Sequence, residues 1–165
     1  MIGIRFASGI GPSVLGVPAH ELTNQRVRLE AIWPSAEARR LEDRLASSGA
    51  PDRVLEAIAS EACRDDHRAP AIAEMVRLLR AGIPVPRVAD GLDISERQMR
   101  RWALESFGYG PKTLARVLRL NGAIDLARSG LGFAHVAADS GYADQAHLAR
   151  DVREFAGVPL SRLVG

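Results

Sequence analysis

The stretch from Gly132 to Gly157 constrains the fold most, because it predicts two short helices joined by a tight turn at Gly141. Glycine takes a positive φ without steric cost, and the small Ala137, four residues before the turn, lets the two helices cross closely. Asp144 is a good N-cap for the second helix, since its carboxylate can accept a hydrogen bond from a free backbone N–H. The pattern predicts a helix-turn-helix.

The residues after Asp144 divide into a core-facing and an outward-facing side at the helical spacing of about 100° per residue. Leu148, Val152 and Phe155 recur at helical spacing and predict one apolar stripe that packs on the first helix. The opposite side collects Ala146, Arg150, Arg153 and Glu154, and Gln145 and His147 flank it near the start of the helix. Two arginines on a short exposed face favour contact with DNA phosphates and base edges.

A second copy of the pattern occupies residues 85–108. In this copy Ala89 precedes the turn residue Asp93 by four positions. Ala89 lies 48 residues before its counterpart in the other copy, and Arg101 lies 49 residues before Arg150. The copy nearer the C-terminus therefore has one extra residue after its turn, and the nearly constant offset makes the pair much stronger evidence than either copy alone.

Between the copies, residues 111–129 predict one amphipathic connecting helix, opened by Pro111 and closed by Gly130. At 1.5 Å per residue this helix spans roughly 27 Å. That length approaches the roughly 34 Å between successive major-groove faces. Its apolar face is expected to hold Leu114, Val117, Leu118, Asn121 and Ile124.

The chain is similar to the AraC/XylS family of transcriptional regulators in three segments, VADGLDISERQMRRW, FGYGPKTLARVLRL and HVAADSGYADQAHLARDVREFAGVP. These segments resemble the tandem helix-turn-helix domain of that family, and the likeness extends from about Ala69 to the C-terminus. Residues 1–65 resemble, less closely, the tail of the sensor domain found in one bacterial branch. Asp93 departs from the family pattern, which usually has glycine at this turn.

The resemblance implies which residues enter the major groove. On the first reading helix they are Arg97, Arg100 and Arg101, and on the second they are Ala146 and Arg150. Ala146 can offer only methyl contact, for instance to thymine.

Other residues of the motifs are expected to support these contacts. Gln145 and His147 flank the second reading face, while Lys112, Arg128 and Arg153 are expected to hold phosphates, which position the domain without reading sequence. A solvated basic face is the alternative for the arginines, and an exposed, uninvolved imidazole is the alternative for His147. The paired motif favours DNA contact by the arginines.

Double-stranded DNA is the expected partner, with two reading helices in successive major grooves and transcription control in a bacterial cell as the output. RNA polymerase is a further candidate partner, and the sequence leaves the oligomeric state open. A truncated protein-interaction module that no longer acts on a promoter is the alternative function. The formal net charge is only +2, but the basic excess lies in residues 66–165, together with the motifs.

Composition is that of an ordinary globular protein, with 47% apolar and 25% charged residues among 165. No run approaches about 18 apolar residues, and the N-terminus lacks the pattern of a signal peptide, so we expect a cytoplasmic protein with no membrane partner. The single cysteine, Cys63, excludes an internal disulfide and a cysteine-rich zinc site, and we expect it to be buried.

Enzymatic chemistry is not expected. The four histidines lack the spacing of a metal site, and the chain shows no nucleophile–base pair and no cofactor motif. We therefore expect no catalytic residues, no bound metal and no cofactor. The histidines are His20, His67, His135 and His147.

The region before the motifs is expected to be small and mostly helical. Met1–Phe6 predicts a short strand, and because no later segment resembles a strand, we expect the N-terminus to be truncated. Ser35–Ser47 and Asp52–Arg64 predict helices capped by Ser35 and Asp52.

The best linker is Arg64–Pro70, which is polar and ends in proline. We therefore expect residues 1–65 to be the remnant of a sensor or interaction domain and residues 66–165 to be the DNA-binding domain. The expected fold class is all-α: two helix-turn-helix subdomains joined by a long connecting helix, preceded by a small helical region with a short N-terminal strand remnant.

Overall fold

Helices make up the regular structure of residues 2–164, the range that a computed structural model of the protein describes. This architecture confirms the predicted all-α class. In chain order the helices are α1 (Gly11–Leu15), α2 (Ala19–Leu22), α3 (Ser35–Ser47), α4 (Pro51–Ala62), α5 (Ala69–Arg80), α6 (Val85–Gly91), α7 (Glu96–Phe107), α8 (Pro111–Arg128), α9 (Phe133–Asp139), α10 (Gln145–Ala156) and α11 (Leu160–Val164), and a 3-10 turn lies at Leu29–Ala31.

The strand predicted at Met1–Phe6 is wrong over the part of it that the structure describes. Residues 2–6 form no strand, and Met1 lies outside the described residues. A strand needs a neighbour to accept its backbone hydrogen bonds, and residues 2–164 contain no other strand. Ile2 and Ile4 are exposed as a result.

The predicted helix caps of the N-terminal region are also wrong, although α3 has the predicted bounds. The N-cap of α3 is Pro34 and that of α4 is Ala50, and neither makes a side-chain capping hydrogen bond. In α4 a proline opens the helix, because its fixed φ suits the first turn and it has no N–H to satisfy. Asp52 instead lies in that first turn, where a negative charge favours the helix dipole.

Cys63 is exposed, so the expectation of burial is wrong. The helix α4 ends at Ala62, and Cys63 is its C-cap, just beyond the last helical residue. The Sγ atom of Cys63 lies 3.6 Å from the Oγ atom of Ser13, close to the surface.

The chain divides into two compact units, and the first consists of residues up to Ile72 together with Arg97–Gly110. Within this unit α7 packs against the N-terminal segment. The backbone of Gly108 passes so close to Thr23 that a side chain on this glycine would collide with it. The His20 ring nitrogen Nδ1 lies 3.3 Å from the Leu104 carbonyl oxygen. The sequence patterns did not predict this contact.

The second unit consists of Ala73–Glu96 together with the residues from Pro111 onward. One core cluster of this unit is formed by side chains of α8, α9, α10 and α11 and by a tyrosine in the turn between α9 and α10: Leu120, Ala123, Ala127, Val136, Ala137, Tyr142, Leu148, Val152 and Leu160.

The apolar face predicted for α8 is only partly correct. Leu114 and Leu118 are buried, as expected, but Asn121 is exposed. Leu120 and Ala123, on another side of the helix, lie in the core instead. A connecting helix that is buried on more than one side has no single apolar stripe, and so its sequence pattern is incomplete evidence for its packing.

The turns after α6 and α9 have the same backbone geometry. Ile94 donates its N–H to the Ala89 carbonyl at 3.1 Å, and Tyr142 donates to the Ala137 carbonyl at 2.8 Å. Between these residues Asp93 has φ 52°, where the other turn has a glycine at φ 69°. Both are Schellman motifs.

The helix lengths repeat as well. The helices before the two turns have seven residues each, and those after the turns have twelve each. The structure thus confirms the local repeat that the nearly constant offset predicted.

The positive φ of Asp93 predicts that glycine would be better at this turn. We expect Asp93→Gly to raise the free energy of unfolding by a few tenths to about 1 kcal/mol, since aspartate tolerates the left-handed region less well than glycine. The reciprocal change, Gly141→Asp, should lower it by a similar amount, because nothing lies within 4 Å of a Cβ there. Urea unfolding monitored by circular dichroism measures both. A less stable Asp93→Gly protein would contradict this reasoning.

Candidate nucleic-acid interface

The helix α10 begins where the sequence predicts. Asp144 is its N-cap, and the carboxylate oxygen Oδ1 accepts a hydrogen bond from the backbone N–H of His147 at 2.6 Å. Leu148 and Val152 are fully buried, and Phe155 is half-buried against the same core. The predicted apolar stripe is therefore confirmed, and it determines which side of α10 faces outward.

The outward side of α10 carries Gln145, Ala146, Arg150 and Arg153, all of them exposed. Neither arginine side chain forms an ion pair or hydrogen bond with any residue in the range 2–164. His147 differs from this group, because it is half-buried and its ring meets the Tyr142 ring edge-on at 5.1 Å between centroids. The structure thus brings the four exposed residues onto one face and turns His147 partly towards the protein.

The inner side of α10 carries a charge that the sequence patterns missed. Asp151 is buried, with 6% of its side chain exposed. Arg116 of α8 donates to Asp151 Oδ1 at 2.9 Å, and Arg119 donates to Oδ2 at 3.3 Å. The sequence does contain a signal for this contact. Asp151 follows Leu148 by three residues and so lies beside the apolar stripe, and Arg116 and Arg119 are about one helical turn apart, so both can reach one carboxylate.

The guanidinium groups of α8 also lie over aromatic rings. The Cζ atom of Arg116 is 4.7 Å from the ring centroid of Phe155, and that of Arg119 is 4.3 Å from the ring centroid of Tyr142. Both distances suit cation–π attraction. The arginines are therefore held by rings as well as by the Asp151 carboxylate.

Burial alone would raise the pKa of Asp151, but the hydrogen bonds and charges of Arg116 and Arg119 outweigh it and hold the pKa below its usual value. The Glu154 and Asp151 carboxylates in turn raise the pKa of Arg116. Asp151 is therefore ionised throughout the physiological pH range.

The helix α7, which the sequence predicts to be the first reading helix, is likewise divided into a buried and an exposed side. Met99, Trp102 and Ala103 are buried, whereas the predicted groove residues are exposed and make no side-chain ion pair or hydrogen bond within the described chain: Arg97, Arg100 and Arg101. The sequence patterns had placed Met99 and Ala103 on the core side and favoured packing for Trp102, and the observed burial agrees.

A carboxylate on α7 is held from outside the helix. Glu105 pairs with Arg68, which lies immediately before α5 and also donates to both carboxylate oxygens of Asp66. The side chains of Glu105 and Arg68 are 30% and 26% exposed. The polar segment predicted as a linker, Arg64–Pro70, therefore contains an internal ion pair between Arg68 and Asp66.

The remaining predicted phosphate contacts lie at opposite ends of α8. Lys112 is exposed in the first turn of the helix. Arg128 is the last residue of α8. Its guanidinium donates to the Leu163 carbonyl at 3.2 Å and lies 3.9 Å from the Asp125 carboxylate. Arg128 is thus already engaged with the C-terminal helix of its own unit.

The described residues, 2–164, contain no group of three or more metal-ligating side chains. None of the helices within that range has both the length and the apolar character needed to cross a bilayer.

Two successive copies of a helix, a Schellman turn and an arginine-bearing helix define the class as a helix-turn-helix DNA-binding protein. Residues 88–164 match a family model described as a helix-turn-helix domain, and this segment is an AraC-type helix-turn-helix domain. No curated protein and no solved structure matches the chain. Domains of this family bind double-stranded DNA, regulate transcription and are typically non-enzymatic.

The buried Asp151 pair predicts a pH-dependent stability. At neutral pH we expect Asp151→Asn to lower the free energy of unfolding by about 1–3 kcal/mol, because two arginines lose a charged acceptor. The folded-state pKa lies below the unfolded value of about 3.9, so this contribution is complete above that pH and is lost as the pH falls towards the folded pKa.

Urea unfolding of the parent protein and of Asp151→Asn between about pH 7 and pH 3 measures the effect. The difference between their free energies of unfolding should shrink as the pH falls below about 4. The matched control is Asp125→Asn, a 78% exposed carboxylate 3.9 Å from Arg128, which should be nearly neutral. A gap that widened on acidification would refute the assignment.

Proposed function

We propose that this protein is a sequence-specific transcription regulator that reads duplex DNA with α7 and α10 in successive major grooves. The observation that carries the proposal is the division of both twelve-residue helices into a buried stripe and a face of exposed arginines that have no ion pair or hydrogen bond within residues 2–164. A regulator of this kind acts in the cytoplasm, where bacterial DNA lies.

The roles of the side chains follow from their chemistry. Arg101 and Arg150 are the base readers, because a guanidinium can make a bidentate contact with guanine. Arg97, Arg100 and Gln145 flank them, and Ala146 offers a methyl contact. Arg153 and Lys112 hold phosphates and set the register of the domain without reading sequence.

The rest of the chain supports the reading helices. We assign residues 66–165 to the DNA-binding domain and residues 1–65 to an interaction region. The contacts of Gly108 with Thr23 and of His20 with Leu104 support a role of this region in holding α7. RNA polymerase and a sensed effector are candidate partners of such a regulator.

Selection from a random duplex library, followed by fluorescence anisotropy at fixed salt, tests the proposal. We expect a selected consensus that binds at least about 10³-fold more tightly than unrelated duplex, as specific DNA-binding proteins do. Binding that shows no sequence preference would favour the protein-interaction module instead.

The first DNA prediction separates reading from positioning. Arg150→Ala should cost roughly 1–3 kcal/mol at the selected site and relax the preference at one base pair, because it removes a bidentate contact. Arg153→Ala should weaken binding to all sequences alike and reduce the salt slope by about one. Arg53→Ala is the matched control, since Arg53 is an exposed arginine of α4 without an ion pair or hydrogen bond in the described chain. An unchanged consensus for Arg150→Ala would exclude it as a base reader.

The second DNA prediction concerns spacing. Because α8 spans roughly 27 Å and joins the copies in tandem, a single chain should recognise a non-palindromic site with two sub-elements about 10–10.5 bp apart. Inserting about 5 bp moves one sub-element to the far side of the duplex, and inserting a full turn exceeds the length of the helix. Both insertions should reduce affinity to that of one sub-element plus non-specific phosphate contacts. Equal affinity for the parent, half-turn and full-turn duplexes would refute tandem reading.

A further inference from the structure

Each reading helix carries a glutamate four residues after its base-reading arginine. Glu105 follows Arg101, and Glu154 follows Arg150. Residues four apart on a helix are neighbours on its surface, so each glutamate is placed to form an ion pair with the arginine that must reach DNA. Such a pair would occupy the guanidinium and bring a negative charge towards the phosphates.

The structure shows a different partner for each glutamate. Arg116 holds Glu154 through two hydrogen bonds, from Nη1 at 3.0 Å and from Nη2 at 2.6 Å. Arg68 pairs with Glu105. Neither Arg101 nor Arg150 forms an ion pair with any residue of the described range, 2–164.

We call each arginine that holds a glutamate in this way, Arg68 or Arg116, a clamp. The two clamps occupy corresponding places in the repeat. Arg68 and Arg116 are 48 residues apart, and Glu105 and Glu154 are 49 residues apart. These are the two offsets that relate the copies before and after the turn. Each clamp also holds a second carboxylate, Asp66 in the first case and Asp151 in the second.

Local contacts favour Arg116 over Arg150 as the ion-pair partner of Glu154. The Arg116 guanidinium is fixed by Asp151 and by the Phe155 ring, so little further side-chain freedom is lost when it binds Glu154. An Arg150–Glu154 pair would have to order two exposed side chains, and an exposed ion pair of this kind contributes little.

We propose that Arg68 and Arg116 are positioning residues that clamp Glu105 and Glu154 and so leave Arg101 and Arg150 available to DNA. The proposal rests on the proposed function, because it assigns a consequence to the reading role of those two arginines. It extends that function by naming residues that do not themselves touch DNA and yet determine how well the reading residues work.

A double-mutant cycle tests the second clamp. In about 0.1 M salt, Arg116→Ala should weaken binding to the selected duplex about two- to fivefold, because the released Glu154 competes for Arg150 and repels phosphate. Adding Glu154→Gln to this variant should restore most of the loss. The single variant Arg116→Ala and the double variant both lack the Arg116–Asp151 contact, so the affinity regained by the double variant measures the effect of Glu154 alone. Arg44→Ala, which removes an exposed ion pair with Glu61 at 3.4 Å, is the control and should change nothing.

Two further readouts separate this role from a merely structural one. Arg116→Ala should lose less affinity on a duplex altered at the base pair that Arg150 reads, and its deficit should shrink as salt is raised. The corresponding cycle, Arg68→Ala with Glu105→Gln, tests the first clamp and decides the matter if Arg116→Ala fails to fold.

Failure of the inference and failure of the proposed function give different results. If the parent protein selects no consensus, the proposed function is wrong. If the parent binds its consensus but Arg116→Ala and Arg68→Ala bind equally well, or if the glutamine substitutions restore nothing, the clamp is wrong and the reading role of Arg101 and Arg150 is unaffected.

Discussion

The carboxylate of Asp151 is the buried charge on which the second unit depends. It lies on the core side of α10, where an uncompensated charge would cost roughly several kcal/mol. Arg116 and Arg119 of α8 supply the compensation with one hydrogen bond to each carboxylate oxygen. Because these bonds are directional, they constrain the rotation of α10 about its axis, which apolar packing alone would leave looser. The same constraint turns Arg150 outward.

The electrostatics of the outward face of α10, which we propose faces DNA, depend on the packed unit. Taken alone, α10 carries equal numbers of arginines and carboxylates, and so it would attract phosphate weakly. In the folded unit Arg116 and Arg119 neutralise those carboxylates from the adjacent helix. Arg116 therefore both compensates the buried charge of Asp151 and pairs with Glu154, so the stability of the unit and the proposed DNA-reading role of α10 depend on the same side chain.

Repetition in this protein is closer in geometry than in residue type. The first turn reaches the left-handed conformation with Asp93, whereas the second uses glycine, and the backbone hydrogen bonds of the two turns are the same. The clamps repeat in the same sense, with Arg68 lying just before α5 and Arg116 lying within α8. Each motif therefore has a left-handed turn residue and an arginine that holds a glutamate, although the turn residue and the position of the arginine relative to its helix differ between the motifs.

The sequence by itself determined most of the longer helices, the two turns and the outward sides of α7 and α10, because helical periodicity is local and depends on residues a few positions apart. It identified Asp144 as a cap and Leu148 with Val152 as a buried stripe, and both predictions hold. Only the tertiary structure decided the partners of Asp151 and Glu154, since those contacts join residues more than thirty positions apart. It likewise decided that residues 2–6 form no strand, because a strand exists only where another strand accepts its hydrogen bonds.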